Sequence, residues 1–277
     1  MSNKSYYESW STPNSLEHYT HNRCRIEDLY ESEKLFLPNM LQPGMKVLDV
    51  GCAAGGFYDI MTEIEPHVRY FGCDVSDDLL KIARSKYPDV VFFYASAKCI
   101  PYTDNSFDLV HSTGTLHMEE ECLESIKEIY RVSSAFSIID LRLTNLPVSF
   151  DINESYQKLI FDGEWDGKSI VPYVILNMED LLFFLLNKLT PKPLAIYAKG
   201  YEHSPSPTAK VPLEKVCMTM LMLQKPDDAA YNGITELCFD IPYDLQKLNI
   251  LKSEKWQDAS KIETLVRGKA DKFTMGT

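Results

Sequence analysis

The stretch Lys46-Val47-Leu48-Asp49-Val50-Gly51-Cys52-Ala53-Ala54-Gly55-Gly56-Phe57 decides how the rest of the chain is read. Val47 to Val50 is an apolar run broken only by Asp49; it follows the Pro43-Gly44 turn and empties into a cluster of small residues. That pattern is a buried strand entering a tight turn. Glycine and alanine in such a turn let the backbone approach a bulky ligand, because a larger side chain would occupy the ligand's volume. A helix starting near Gly55 would add free amide N–H groups facing the same ligand.

Working outward, Tyr70-Phe71-Gly72-Cys73-Asp74 is a second apolar strand that ends in an acid. One carboxylate at such a tip can hold two ribose hydroxyls. Asp74 can equally begin a turn or cap the helix that Ser76-Asp77-Asp78 opens. A dinucleotide enzyme would carry Gly-x-Gly-x-x-Gly here. This chain instead has Ala53 and Ala54 between Gly51 and Gly55, with Asp49 two residues before the first glycine.

Residues 49–55 resemble motif I of the class I methyltransferases that use S-adenosylmethionine, Asp-x-Gly-x-Gly-x-Gly, with Ala53 in place of the central glycine. Ile100-Pro101-Tyr102-Thr103-Asp104-Asn105-Ser106-Phe107-Asp108-Leu109-Val110 resembles the Leu-Pro-Phe-x-Asp-x-Ser-Phe-Asp-x-Val signature of a large subgroup, the type 11-like methyltransferases. Glu128-Ile129-Tyr130-Arg131-Val132 is similar to that subgroup's Glu-x-x-Arg-Val, while the usual Lys-Pro-Gly-Gly turn is replaced by Ser133-Ser134. The resemblance implies an α/β fold: a Rossmann-like, seven-stranded, mostly parallel sheet with helices on both faces and an antiparallel last strand. It implies S-adenosyl-L-methionine as cofactor, with Asp49, Gly51, Cys52, Ala53, Gly55, Asp74, Val75, Ser96, Ala97 and Ser112 around it. Ser96 stands where the family usually has an acid that accepts from the adenine amino group. A hydroxyl can accept that bond, more weakly than a charged group.

The organisation expected is an N-terminal helical lid over residues 1–42, a methyltransferase domain over 43–226 with a substrate-side insertion at about 144–176, and a C-terminal extension over 227–277. In the lid segment, Leu16, Tyr19, Arg23, Ile26, Leu29 and Tyr30 have helical spacing. If the segment closes the site, Tyr6, Tyr7, Tyr19 and Arg23 are the residues expected near the reacting centre, with Tyr19 and Arg23 on the cofactor; packing on the domain surface would explain the same aromatics. His117, in the loop after the fourth strand, is the candidate general base, since an imidazole titrates near neutrality. Asp140 and Arg142, at the end of the fifth strand, can orient a polar substrate or form an internal ion pair.

Composition narrows the partners. A net charge of −12 argues against a surface built to neutralise nucleic acid phosphates. Seven scattered cysteines without a Cys-x-x-Cys pair suggest neither a disulfide framework nor a metal site, and so a reducing, cytoplasmic setting. No apolar run approaches the roughly 20 residues of a membrane span. A small-molecule substrate is expected, an O or N nucleophile on a sugar or surface-polysaccharide intermediate being suggested by resemblance alone. Two other readings stay open: a nicotinamide-dependent oxidoreductase, and a non-catalytic module that binds the cofactor. Ile234 to Ile241 is expected as an added strand, and Lys247 to Lys272, with seven basic and four acidic residues, as a solvated helix or an oligomer contact.

Overall fold

The computed structural model describes residues 6–161, 165–227, 231 and 233–274, the side chains of 271–274 excepted. The described residues open with a 3-10 turn (Tyr6–Ser11) and helix α1 (Pro13–His21), capped by the Thr12 hydroxyl. The helical spacing read through Tyr30 does not persist as one helix. Arg23 adopts a positive φ of 56°, the chain turns, and helix α2 starts afresh (Glu31–Met40). The central unit then alternates as β1 (Lys46–Val50), α3 (Gly56–Ile64), β2 (Arg69–Asp74), α4 (Asp77–Lys86), β3 (Val91–Tyr94), β4 (Phe107–Ser112), α5 (Cys122–Val132) and β5 (Ser133–Thr144). Beyond it lie β6 (Tyr156–Lys158), β7 (Ile170–Pro172), β8 (Leu176–Asn177), α6 (Met178–Asn187), β9 (Ala195–His203), β10 (Ala209–Lys210), β11 (Val216–Gln224), β12 (Glu236–Asp240), β13 (Lys255–Trp256) and α7 (Ile262–Thr274).

The main sheet runs β13-β12-β9-β11-β5-β4-β1-β2-β3, with β8 added beside β5. The expected strands are β1 to β5, β9 and β11, and of these β11 runs antiparallel to both neighbours, β5 and β9. Of the ten strands among the described residues, β12 is the added strand expected within residues 234–241, and β8 and β13 extend the sheet beyond expectation. A separate small sheet, β10-β6-β7, arises from the insertion and the segment after β9.

Apolar clusters cover both faces of the main sheet. One centres on Leu48, Val110, Ile126, Ile139, Leu182 and Leu221, the other on Phe36, Val47, Ile60, Leu109, Tyr197 and Met222. Neighbouring residues of one strand fall into different clusters, as alternation across a strand requires. Ile262, Val266 and Ala270 of α7 belong to the second cluster, and α7 packs on α2. The apolar side of α7, within the segment read as a solvated helix or an oligomer contact, is thus covered by the chain's own α2.

The sequence signatures turn out to be mutual clamps. Asp108 Oδ2 accepts from the Lys46 amide at 2.7 Å, fixing β4 beside β1. Glu128 Oε1 accepts from the Ile100 amide at 2.8 Å, and Arg131 donates to the Ile100 carbonyl and, at 2.7 Å, to Asp104. Where the glycine turn is missing, the Lys225 ammonium, at the end of β11, donates to the carbonyls of Tyr130 (2.8 Å), Arg131 (3.2 Å) and Ser133 (2.7 Å) and to Asn105 Oδ1 (2.8 Å). It takes over the orphan carbonyls at the end of α5. Burial lowers its pKa to about 8.

Candidate active site

The carboxyl ends of β1, β2, β4 and β5 open into one cavity of about 560 Å³, within the range of small-molecule sites. Strand order sets its long axis. With neighbours about 4.8 Å apart, the tip of β5 lies roughly 14 Å from the tip of β2, and β9 roughly 10 Å further on.

At the β1–β2 end the wall is backbone. Gly51 has a φ of +80°, and a Cβ there would lie 2.2 Å from Thr115 Oγ1. A Cβ on Gly56 would lie 2.6 Å from the Arg23 carbonyl oxygen. Ala53 takes a φ of 48° in the left-handed region, where an L side chain costs about 1–2 kcal/mol. Its amide donates to Asp74 Oδ2 at 2.9 Å, while the Ser76 amide donates to Oδ1 at 2.8 Å. Asp74 is thus pinned between two turns, with 9% of its surface exposed, and it lines the cavity beside Val75. Burial raises its pKa, against the backbone N–H groups that lower it. Asp74 stabilises the turn into α4 and also lines the cavity. The capping hydroxyl of α4 is that of Ser76.

Gly51, Cys52, Ala53, Asp74, Val75 and Ala97 all line the cavity; Asp49, Gly55, Ser96 and Ser112 do not. Asp49 is buried, accepting from Tyr70 Oη at 2.6 Å and meeting His111 Nδ1 at 2.9 Å, while His111 Nε2 lies 2.5 Å from Thr113 Oγ1. Its carboxyl group therefore ties β1, β2 and β4 together behind the cavity wall. Gly55 packs below the turn, where a Cβ would meet the Phe92 ring at 2.9 Å. Ser112 donates to the Val50 carbonyl at 2.9 Å. The Ser96 hydroxyl is within hydrogen-bond reach of Tyr7.

The N-terminal segment roofs this end. Tyr7, Trp10, His18, Tyr19 and Arg23 line the cavity, and Tyr6 does not. The hydroxyls of Tyr6 and Tyr7 donate to Glu119, at 2.7 Å and 2.9 Å, and Ser9 Oγ donates to the Ile170 carbonyl in β7. Arg23 pairs with the fully buried Glu33, its guanidinium 4.2 Å from the centre of the Tyr30 ring and 4.8 Å from that of Phe57. His18 stacks on Phe161 at 4.2 Å, so α1 meets the insertion across the cavity mouth.

The other end is made of side chains: Tyr30, His117, Arg142, Tyr173, Tyr201 and Met218. His117 is 5% exposed, its Nδ1 has no hydrogen-bond partner, and its ring meets that of Tyr173 edge-on at 5.5 Å. Burial, and secondarily the Arg142 charge, hold its pKa well below the usual imidazole range. Arg142 donates to Asp140 Oδ1 at 2.7 Å, and Asp140 Oδ2 accepts from the Gly114 amide at 3.2 Å. The ion pair read as an alternative for these two residues is present; Arg142 lines the cavity and Asp140 stands behind it. Tyr30, Tyr173, Tyr201, Glu119 and Phe161 were not foreseen as site residues, since no local motif marks them.

A nucleotide-type cavity at the carboxyl edge of a parallel sheet, cut close by glycines and closed by an acid on the next strand, defines a cofactor-dependent α/β enzyme. Residues 41–174 match the family model described as Methyltransferase domain. Those residues form a class I S-adenosylmethionine-dependent methyltransferase domain, with S-adenosylmethionine as its cofactor. The chain is 28% identical over 160 residues to a demethylmenaquinone methyltransferase of Listeria welshimeri, covering 54% of this chain and 68% of that one. It is 34% identical over 87 residues to that of Chlorobaculum parvum, covering 31% and 36%. Matches among these relatives therefore span from about a third to two thirds of their lengths. Among solved structures, a methyltransferase of Methanosarcina mazei aligns with a TM-score of 0.48 at 19% identity, over 71% of this chain and 98% of that one. The magnesium protoporphyrin IX methyltransferase of Synechocystis with bound cofactor aligns with a TM-score of 0.41 at 14% identity, over 66% and 71%. Among the described residues no group of His, Cys, Asp and Glu could hold a metal ion, and no helix is long and apolar enough to cross a membrane.

Proposed function

We propose that this protein methylates an oxygen or nitrogen nucleophile of a small polar molecule, a sugar or surface-polysaccharide intermediate being one such acceptor, and that it works in the cytoplasm. What supports the reading is a single cavity with two chemically different ends. A backbone-lined end over β1 and β2 suits the cofactor, and a side-chain-lined end over β5, β11 and β9 suits the acceptor. When bound, S-adenosylmethionine supplies a methyl group already activated on a sulfonium.

The protein's own contribution is mainly to hold and align, which can lower a barrier by about 7–11 kcal/mol. Asp74 would take the ribose hydroxyls, and Gly51, Ala53 and Gly56 let the backbone lie against the cofactor. Tyr19 and Arg23 close over it, with residues 6–42 acting as the lid and 144–176 as the acceptor-side wall. His117, kept neutral, can take up the proton that a hydroxyl or amine nucleophile must lose. Its unpartnered Nδ1 is the acceptor in this role. The acidic net charge suits a small acceptor better than nucleic acid.

The test is incubation with methyl-labelled S-adenosylmethionine and a metabolite extract, followed by identification of the labelled product. A labelled small molecule is expected. Binding of NADH without binding of S-adenosylhomocysteine in calorimetry would instead favour an oxidoreductase, and tight S-adenosylhomocysteine binding without turnover on any extract a non-catalytic module.

A further inference from the structure

The acceptor end of the cavity carries more donors than a neutral apolar acceptor could use. Arg142 is 5% exposed, and the bonds from its fork to Asp140 and to the Leu141 carbonyl both leave from one terminal nitrogen. A guanidinium has five N–H groups in a planar fork. The Tyr173 hydroxyl, at the cavity wall, is within hydrogen-bond reach of the Arg142 guanidinium. Tyr30 and Tyr201 line the same end and bring two further phenolic hydroxyls. Asp140 does not compete for an incoming group: one oxygen is on Arg142 and the other on the Gly114 amide, which keeps it behind the wall. Beside these donors sits the buried, unpartnered Nδ1 of His117. A buried polar group without a partner needs an explanation, and a ligand that completes it is the simplest.

Resting on the methyltransferase reading above, we propose that this end is an oxyanion receptor, and that the acceptor is a small organic acid whose negatively charged oxygen lies on Arg142 and the hydroxyls of Tyr30, Tyr173 and Tyr201. Charge-assisted hydrogen bonds are about twice as strong as neutral ones and fix orientation, so the anion would serve as a handle that presents the nucleophile to His117. The handle can be the carboxylate of an aromatic acid or that of a sugar acid.

Binding separates these cases without knowledge of the true acceptor. S-adenosylhomocysteine is first titrated into the protein by calorimetry. The loaded protein is then titrated with benzoate against benzamide, and with glucuronate against glucose. At least one acid is expected to bind tenfold or more tightly than its neutral counterpart, and the pair that does so names the source of the carboxylate. Tyr173→Phe and Tyr201→Phe should each weaken that acid at least threefold and leave S-adenosylhomocysteine unchanged. Arg142→Met combined with Asp140→Asn, which leaves no lone buried charge, should abolish the preference for the acid. Should that double variant fail to fold, the two tyrosine variants decide. If S-adenosylhomocysteine binds while neither acid outbinds its neutral partner, the receptor is refuted. If S-adenosylhomocysteine itself does not bind, the methyltransferase reading falls and this inference with it.

Discussion

The two ends of the cavity are built by different means. The wall of the cofactor end is mainly backbone, from the tip of β1, the 51–56 turn, the first turn of α3 and the tip of β2, all inside the stretch matched by the family model, under a roof of N-terminal side chains that lie outside it. The acceptor end consists of side chains from α2's entry (Tyr30), the β4 loop (His117), β5 (Arg142), the approach to β8 (Tyr173), β9 (Tyr201) and β11 (Met218). Tyr30, Tyr201 and Met218 lie outside the matched stretch. Recognition by backbone needs small residues at fixed spacing and is written locally. Recognition by side chains needs only that distant strands finish side by side.

If that contrast is right, damage at the acceptor end should spare cofactor binding. The largest effect is expected from His117→Ala, with turnover of labelled methyl into the acceptor falling about 10²–10⁴-fold. Its dissociation constant for S-adenosylhomocysteine should stay within about twofold of the parent, on the same estimate of a role confined to proton transfer. Turnover that survives would move the base elsewhere. Gly51→Ala attacks the other end: positive φ strain and the contact with Thr115 together should cost about 2–5 kcal/mol, read by denaturant titration, with loss of S-adenosylhomocysteine binding. Next comes Asp74→Ala, which should weaken S-adenosylhomocysteine at least tenfold, or about 1.4 kcal/mol. An unchanged constant would leave Asp74 only its local bonds to Ala53 and Ser76.

The smallest effects sharpen the comparison. Ala53→Gly relieves the left-handed strain but loosens the unfolded chain, so a net gain of about 0.5–1 kcal/mol is expected, a rise in Tm of about 1–4 °C. A lower Tm would mean that the alanine side chain is itself packed to advantage. For pH, the buried His117 is held neutral, with its folded pKa well below the unfolded value near 6.5. The unfolded chain therefore takes up a proton that the folded protein refuses, and the His117 contribution to stability falls as pH drops through about 6.5. Urea midpoints of the parent, set against those of His117→Ala between pH 5 and 8, should converge toward the acid side.

Much of the cofactor end was legible because its residues act through backbone geometry. The 46–57 stretch predicted strand, turn and helix, and Asp74 was found as the acid of the next strand. The same reading went astray where a side chain's direction decided. Asp49 and Ser112 sit in the right motifs, yet strand alternation and the partners Tyr70, His111 and Val50 turn them away from the cavity. The N-terminal periodicity failed at Arg23, whose positive φ no spacing rule announces. Lys225 is a lone charge just past an apolar strand until the end of α5 is brought against it.

The sequence alone determined the α/β alternation, the close-approach turn and the acid that follows it. Hydrophobic period and small-residue spacing act between neighbours in the chain and need no knowledge of the rest. Only the tertiary structure decided which polar side chains face the cavity, that residues 6–23 close over it, and that Arg142 stands among three tyrosines from distant segments. Those choices depend on sheet order and on which face each strand turns inward, and both are set by the packing of the whole chain.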